Sequence, residues 1–368
     1  MIRIGFVTGA RSEYGIMKKL IAELVEDSDF SVSIIATGMH YQHKYGYTIA
    51  NIQDDALAPI IDAPCYTEEE QSKEEDFVSL INAIGNVFDK HYFDIIYIIG
   101  DRLEAYAAAL SAHFHKIPVA HFAGGQLTNG AVDNIYRFNI TNLSTLHFVT
   151  NKYAVERLMQ LPIINKDKVY LVGSSAIDSI KAYLETPQDA SVIDSRLSRS
   201  NYVLMTFHSE TNTTGQKNTI PEVMDEAIKT IVENGTHLLL TYPNNDDGSD
   251  AIIRVIEKWQ DNPLVVVRKN LGAELYYVAV DNSMFVVGNS SSGVIEIPYF
   301  QKYTLNVGER QSGRNAPKSV ISIADDCELV HSTIGSLLEA PLCKHPQENI
   351  YGDGNSITKI HDIIKSNY

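Results

Sequence analysis

Short apolar runs alternate with helix-length amphipathic segments from one end of the chain to the other. In the first half the pattern predicts strands at Ile2–Thr8, Ser31–Thr37, Ile95–Gly100, Val119–Phe122, Leu146–Val149 and Val169–Val172. Helices are expected between them, among them Glu13–Val25, Glu75–Asp89, Leu103–Phe114 and Lys152–Gln160. The second half repeats the rhythm, with strands at Val203–Phe207, His237–Thr241, Leu264–Val267, Met284–Val287 and Thr304–Val307. Runs such as Ile95–Ile99 are apolar at every position, as required of a parallel strand covered by helices on both faces. The reading is α/β, doubly wound twice: two Rossmann-like domains. Thr186-Pro187-Gln188-Asp189 interrupts the pattern, so the domains are placed at 1–178 and 179–356. Ligands of open α/β sheets sit beyond the carboxyl ends of the strands. Two such domains facing each other would hold a ligand in a cleft between those ends.

Composition narrows the partners. The 368 residues exceed the roughly 250–300 that one core supports. A formal net charge of -16 gives no drive toward nucleic acid or an anionic membrane surface. An anionic substrate would have to meet a local concentration of arginine instead. Cys65, Cys327 and Cys343 lie far apart and show no CxxC spacing, which argues against disulfides or zinc and for a reducing compartment. Met1–Thr8 reads straight into a strand without a signal-peptide pattern, and no window approaches the ~20 apolar residues of a membrane span. A soluble, cytoplasmic protein is expected. His40/His43 and His113/His115 have no further ligand at metal spacing, so structural roles are assigned to them and no metal is expected.

Candidate chemistry collects at the predicted strand ends. After the first strand comes Thr8-Gly9-Ala10-Arg11-Ser12-Glu13-Tyr14-Gly15, where Gly9 permits a tight turn, Ser12 is read as a helix cap and Arg11 as a phosphate-binding cation. Gly100-Asp101-Arg102 follows another strand; an adjacent Asp and Arg suit either a structural ion pair or acid–base work. His121-Phe122-Ala123-Gly124-Gly125-Gln126 leads to Asp133 and Arg137, whose four-residue spacing puts them on one helical face. The second half offers Phe207-His208-Ser209, with His208 as phosphate ligand, and the polar turn Tyr242–Gly248 containing Asn244. Gly288-Asn289-Ser290-Ser291-Ser292-Gly293-Val294-Ile295-Glu296 provides amides and hydroxyls for a pyrophosphate, with Glu296 placed for ribose hydroxyls. Gly308-Glu309-Arg310-Gln311-Ser312-Gly313-Arg314 adds a cationic loop. Neither a Walker loop, GxGxxG nor GxSxG occurs at these turns, which disfavours ATP, NAD and serine-hydrolase chemistry.

Taken together these segments resemble the hydrolysing UDP-N-acetylglucosamine 2-epimerases of sialic acid biosynthesis, and their relatives that act on UDP-2,4-diacetamido sugars toward legionaminic acid. GARSEYG, GDR, the Gly-Gly pair with Asp133 and Arg137, GNSSSGVIE and GERQSGR carry the likeness over nearly the whole chain. The resemblance implies a glycosyltransferase-B type of fold, with a last helix (357–368) packing back on the first domain, and a homodimer or homotetramer. It implies elimination of UDP through a glycal, then addition of water, with neither NAD nor metal as cofactor. Asp101 and Asp133 become the acid–base candidates. Arg11, Arg102, His208, Ser290, Ser291 and Arg310 would hold phosphates, with Asn244 and Glu296 toward uridine. The chain departs from the family's pattern between Gln126 and Thr145. Gln126 stands where the family has a catalytic Glu, and Arg137 precedes Phe138 where the family reads Arg-His. Other readings are a glycosyltransferase of the same fold, a non-hydrolysing epimerase, and a UDP-sugar binder without turnover.

Overall fold

The computed structural model describes residues 1–43, 46–67, 72–127, 133–210, 219–243, 248–340, 345 and 347–368. Their contacts divide the chain into two compact units: Met1–Gln126, Val132–Asp178 and Tyr351–Tyr368 in one, Ser179–Ile350 in the other.

The first unit runs β1 (Ile2–Thr8), α1 (Arg11–Glu26), β2 (Phe30–Thr37), α2 (Ile49–Asp55), β3 (Ile60–Ala63), α3 (Lys73–Lys90) and β4 (Ile95–Ile99). It continues through α4 (Leu103–Phe114), β5 (Val119–Phe122), α5 (Asp133–Leu143), β6 (Leu146–Val149), α6 (Lys152–Met159) and β7 (Val169–Leu171). Helix α7 (Ser175–Glu185) bridges the division between the units. The second unit holds β8 (Tyr202–Thr206), α8 (Ile220–Glu233), β9 (His237–Thr241), α9 (Ser249–Trp259), β10 (Val265–Arg268) and α10 (Gly272–Asn282). It then adds β11 (Val286–Gly288), α11 (Ser292–Ile295), β12 (Thr304–Val307), β13 (Val320–Ile323) and α12 (Cys327–Glu339). The chain ends on α13 (Ser356–Asn367), in the first unit.

Both sheets are parallel throughout, ordered β3-β2-β1-β4-β5-β6-β7 and β10-β9-β8-β11-β12-β13. Side chains of β4 alternate between two cores. Ile95, Tyr97 and Ile99 join Ile4, Phe6, Met17 and the α13 residues Ile360 and Ile364 on one face. Ile96 and Ile98 join Leu80, Ile84 and the alanines of α4 on the other. Burial on both faces is why the sequence of this strand shows no alternation. Helix α13 is tied down by Asp178, whose carboxylate accepts from the Ser356 and Ile357 amides at 3.1 and 3.0 Å, and by the α1-end residue Asp27, which pairs with His361 and Lys365.

The order of each sheet fixes where chemistry can sit. Winding reverses between β1 and β4 in the first unit and between β8 and β11 in the second. Loops leaving two such neighbouring strands diverge to opposite faces and open a crevice at the carboxyl ends. The candidate segments at Thr8–Glu13 and Gly100–Arg102 leave one pair of strands; those at Phe207–Ser209 and Gly288–Glu296 leave the other.

Candidate active site

At the end of β1, Gly9 is pressed against α4: a Cβ there would lie 2.6 Å from the side-chain carbons of Glu104. Helix α1 starts at Arg11 with Ala10 as its cap residue, so Ser12 lies in the first turn and makes no capping bond. The cap comes from Glu13, whose carboxylate turns back to accept from the Gly9 and Ala10 amides at 2.8 and 3.2 Å. The expectation of a Ser12 cap is corrected here: the helix begins at Arg11, so Ser12 lies past the cap position, and Glu13 sits where a capping box places its acceptor. Arg11 and Ser12 are exposed, and Arg11 has no ion pair among the described residues.

Asp101 and Arg102 follow β4 through Gly100, which sits in the left-handed region at φ +75°. Although adjacent, the two do not pair. The Arg102 guanidinium reaches Glu104 at 3.2 Å and Glu13 at 4.0 Å, while Asp101 pairs with Arg137 from α5. Glu13 and Glu104 are both buried, so two carboxylates crowd one guanidinium. Burial, then the charge of Glu104, pushes the Glu13 carboxyl up to about 8. Its second oxygen accepts no hydrogen bond among the described residues.

Arg137 is the buried centre of the first unit's group. Its Nη1 donates to the Gln126 carbonyl at 2.9 Å and to Asn134 Oδ1 at 3.0 Å, and its Nη2 donates to Asp101. Asp133 opens α5, one turn before Arg137, yet makes no ion pair with it among the described residues. Although Asp133 is exposed as a residue, desolvation of its carboxyl, then the charge of Asp101, raises that carboxyl above its ordinary value, against the opposing charge of Arg137. The Gln126 side chain donates from Nε2 to Thr150 Oγ1 at 2.7 Å. The structure thus brings Asp101, Arg137 and Gln126 into one bonded group with Asp133 in electrostatic reach. Two carboxyl groups in unlike surroundings are what acid–base chemistry at one centre needs.

In the second unit Gly288 ends β11 at φ +149°, with Thr206 O only 1.8 Å from where a Cβ would stand, so no other residue fits. That approach lets Asn289, fully buried, join three loops. Its side chain accepts from the His208 amide at 2.7 Å and donates to the His208 carbonyl at 2.9 Å, as a neighbouring strand would. Its own carbonyl accepts from Arg310 Nη1 at 3.3 Å and Gln311 Nε2 at 2.9 Å. Glu210 accepts from the Arg310 amide at 3.1 Å. Burial, then the nearby Arg310 charge, pulls His208 down to about 4, so at neutral pH it offers a hydrogen bond and no positive charge. Ser290 and Ser291 are half-buried, with hydroxyls that make no hydrogen bond among the described residues. The helix after them, α11, has only four residues. Glu296 accepts from Ser292 Oγ at 3.0 Å, which in turn accepts from the Tyr276 hydroxyl at 2.8 Å; burial raises the Glu296 carboxyl. Asn244 lies outside the described residues.

Glu104, Glu13 and Asn289 were not singled out from sequence, although each organises a turn. Glu104 carried a signal: it is a lone carboxylate on the helix Leu103–Phe114, whose buried face is otherwise alanine and serine. Of the four histidines weighed for metal, His40 is buried between Thr8 and Thr48 hydroxyls at 3.0 and 2.8 Å, and His115 bonds the Ser111 carbonyl at 2.7 Å. No group of three or more His, Cys, Asp or Glu at metal-binding distance occurs among the described residues, and no helix among them is long and apolar enough to cross a membrane.

Two doubly wound parallel sheets, each with polar loops at its switch point, define a protein of the glycosyltransferase-B type. The chain belongs to the UDP-N-acetylglucosamine 2-epimerase family, whose model matches residues 22–365. It is 29% identical to UDP-N,N'-diacetylbacillosamine 2-epimerase (hydrolyzing) of Legionella pneumophila, over all of this chain and 96% of that one. It is 31% identical to UDP-N-acetylglucosamine 2-epimerase of Neisseria meningitidis serogroup B, over 87% of this chain and 83% of that one. Among solved structures, the UDP-GlcNAc 2-epimerase from Neisseria meningitidis bound to UDP-GlcNAc superposes with a TM-score of 0.82 at 19% identity, covering 99% and 100% of the two chains, a likeness of fold.

Proposed function

We propose that this protein is a hydrolysing 2-epimerase that converts a UDP-2-acetamido sugar to UDP and the free 2-epimeric sugar. The observation that carries the reading is the group at the end of β4. Asp101 is anchored by buried Arg137, with the raised carboxyl of Asp133 beside it. One carboxylate removes the C2 proton as the C1–O bond breaks and its electron pair leaves with UDP, giving the 2-acetamidoglucal. Water then adds at C1 while a carboxyl returns a proton to the opposite face of C2. Each positioned acid or base contributes roughly 10²–10⁴-fold. The C2 hydrogen is poorly acidic, so the leaving group must depart early. Arg11, Arg102 and Arg310, with hydrogen bonds from His208, Ser290 and Ser291, are assigned to the departing pyrophosphate. Asn244 and Glu296 are assigned to the uridine. Arg102 fits this duty only in part, since Glu104 already engages its guanidinium.

Two sugars suit the reading, UDP-N-acetylglucosamine and UDP-2,4-diacetamido-2,4,6-trideoxyglucose. The Neisseria relative is named for the first and the Legionella relative for a diacetamido sugar like the second. We take the protein to be cytoplasmic and a homodimer or homotetramer. UDP release from each sugar in the absence of any acceptor tests the proposal. Release only when an acceptor is added would point to a glycosyltransferase.

A further inference from the structure

We infer that His121 is a positioning residue: it fixes Asp101 and Arg137 against each other from beneath, and so governs the proton step without touching the sugar. This rests on the acid–base reading of Asp101 given above. His121 ends within β5 and is fully buried, so substrate cannot reach it. Its Nε2 lies 2.8 Å from the carbonyl of Gly100, the residue whose left-handed turn aims Asp101. A carbonyl only accepts, so Nε2 carries the hydrogen. On its other side Nδ1 lies 3.2 Å from Thr141 Oγ1, and that hydroxyl lies 2.9 Å from the carbonyl of Arg137 itself. One imidazole therefore links the turn bearing Asp101 to the helical turn bearing Arg137.

The proton count shows how the link works. Three contacts join Gly100, His121, Thr141 and Arg137, and a neutral imidazole with one hydroxyl supplies two hydrogens. Burial, with His147 and Arg137 nearby, pulls His121 down to about 3, so the ring is neutral. The bond to Gly100 keeps its hydrogen, and the Thr141 hydrogen serves Nδ1 or the Arg137 carbonyl. The clamp is firm on the Asp101 side and adjustable on the Arg137 side. A second observation supports its importance. A Cβ on Gly124 would lie 2.9 Å from both His121 Nδ1 and Thr141 Oγ1, so the first glycine of the Gly-Gly pair is what leaves room for this bond. His147, paired with His121 across β5 and β6, is buried with neither ring nitrogen bonded among the described residues, so it does not compete for the same partners.

Two substitutions separate positioning from packing. His121→Phe fills the space without a donor, and His121→Gln restores an N–H near the Nε2 position. With a turned-over UDP-sugar, His121→Phe should lower kcat by about tenfold or more while KM shifts by less than about twofold, and His121→Gln should recover most of the loss. Full kcat in His121→Phe overturns the inference. So does a loss shared equally by kcat, UDP affinity and Tm that Gln does not rescue. Carbon-13 NMR of the Asp101 carboxyl, assigned with Asp101→Asn, reads the same relationship without turnover. Its chemical shift at neutral pH should move in His121→Phe, and an unmoved signal contradicts the clamp. Wild-type protein that releases no UDP while that signal moves would defeat the proposed function and leave the positioning role standing.

Discussion

Arg137 closes on Asp101, from a different strand end, and leaves Asp133 on its own helix without an ion pair among the described residues. Helical spacing alone would have matched Arg137 with Asp133. The sheet order decides otherwise, because β5 lies next to β4 and delivers α5 over the turn at Gly100. Replacing Asp101 by Asn keeps an acceptor for Arg137 and removes the base. Turnover should fall by roughly 10²–10⁴-fold while UDP affinity holds. Steady-state rates together with UDP titration calorimetry check this, and retained turnover would remove Asp101 from the mechanism.

Gln126 is fastened at both ends, its carbonyl by Arg137 and its side chain by Thr150. Gln126→Glu places a carboxylate beside Thr150 and introduces a base where the resemblance implies one. We expect kcat, or the ratio of kcat/KM for the two candidate sugars, to change by about tenfold. Identical constants for both sugars would show that the departure at this position is silent.

Much of this arrangement was legible before the structure. The apolar runs gave the central strands to within a residue or two, since burial on both faces leaves a continuous signal in β4 and β9. The edge strands Ile60–Ala63 and Val320–Ile323 were missed because each is short and mixes exposed positions with apolar ones. The turns that carry the candidate residues were found from glycine and polar clusters. Their pairings were not, because a one-dimensional pattern cannot tell that Arg102 faces Glu104 or that Asp101 faces Arg137. Residue type alone makes Ser12 a cap candidate, but it does not show that the competing acceptor, Glu13, lies one position later and takes the role.

Asn289 stands in for a missing strand between the His208 and Arg310 loops. Asn289→Ala strips a buried hub of its amide and leaves the His208 backbone unpaired, a cost of about 1–3 kcal/mol for a buried unsatisfied group. UDP affinity should drop by at least about tenfold, since the His208 loop loses its side-chain anchor, while the Asn289 carbonyl that receives Arg310 stays in place. Thermal unfolding and UDP titration measure the two effects separately. Unchanged UDP affinity would exclude this cluster from the nucleotide site.

Stability should peak near pH 7, with opposed causes on the two sides. His40, His121, His147 and His208 are pulled down by burial to about 4, 3, 4 and 4. Unfolded histidines take up protons near 6.5, so stability falls as pH drops from about 6.5 toward 4. Glu13 acts in reverse: folded, it keeps its proton up to about 8, whereas unfolded it releases it near 4.5, so stability falls as pH rises between those values. Below about 7 four histidines outweigh one carboxyl; above it the Glu13 contribution remains. Glu13→Gln should flatten the decline between about pH 7 and 8 and steepen the acid side, where Glu13 opposes the histidines. A Tm profile that declines as before in Glu13→Gln would refute the assignment.

Proton NMR in D2O, with the purified protein and each of the two UDP-sugars, tests hydrolytic epimerisation most directly. Free UDP and a manno-configured sugar carrying deuterium at C2 are expected. Intact nucleotide sugar at the end of the reaction, or a released sugar that keeps its original C2 hydrogen and configuration, would contradict it.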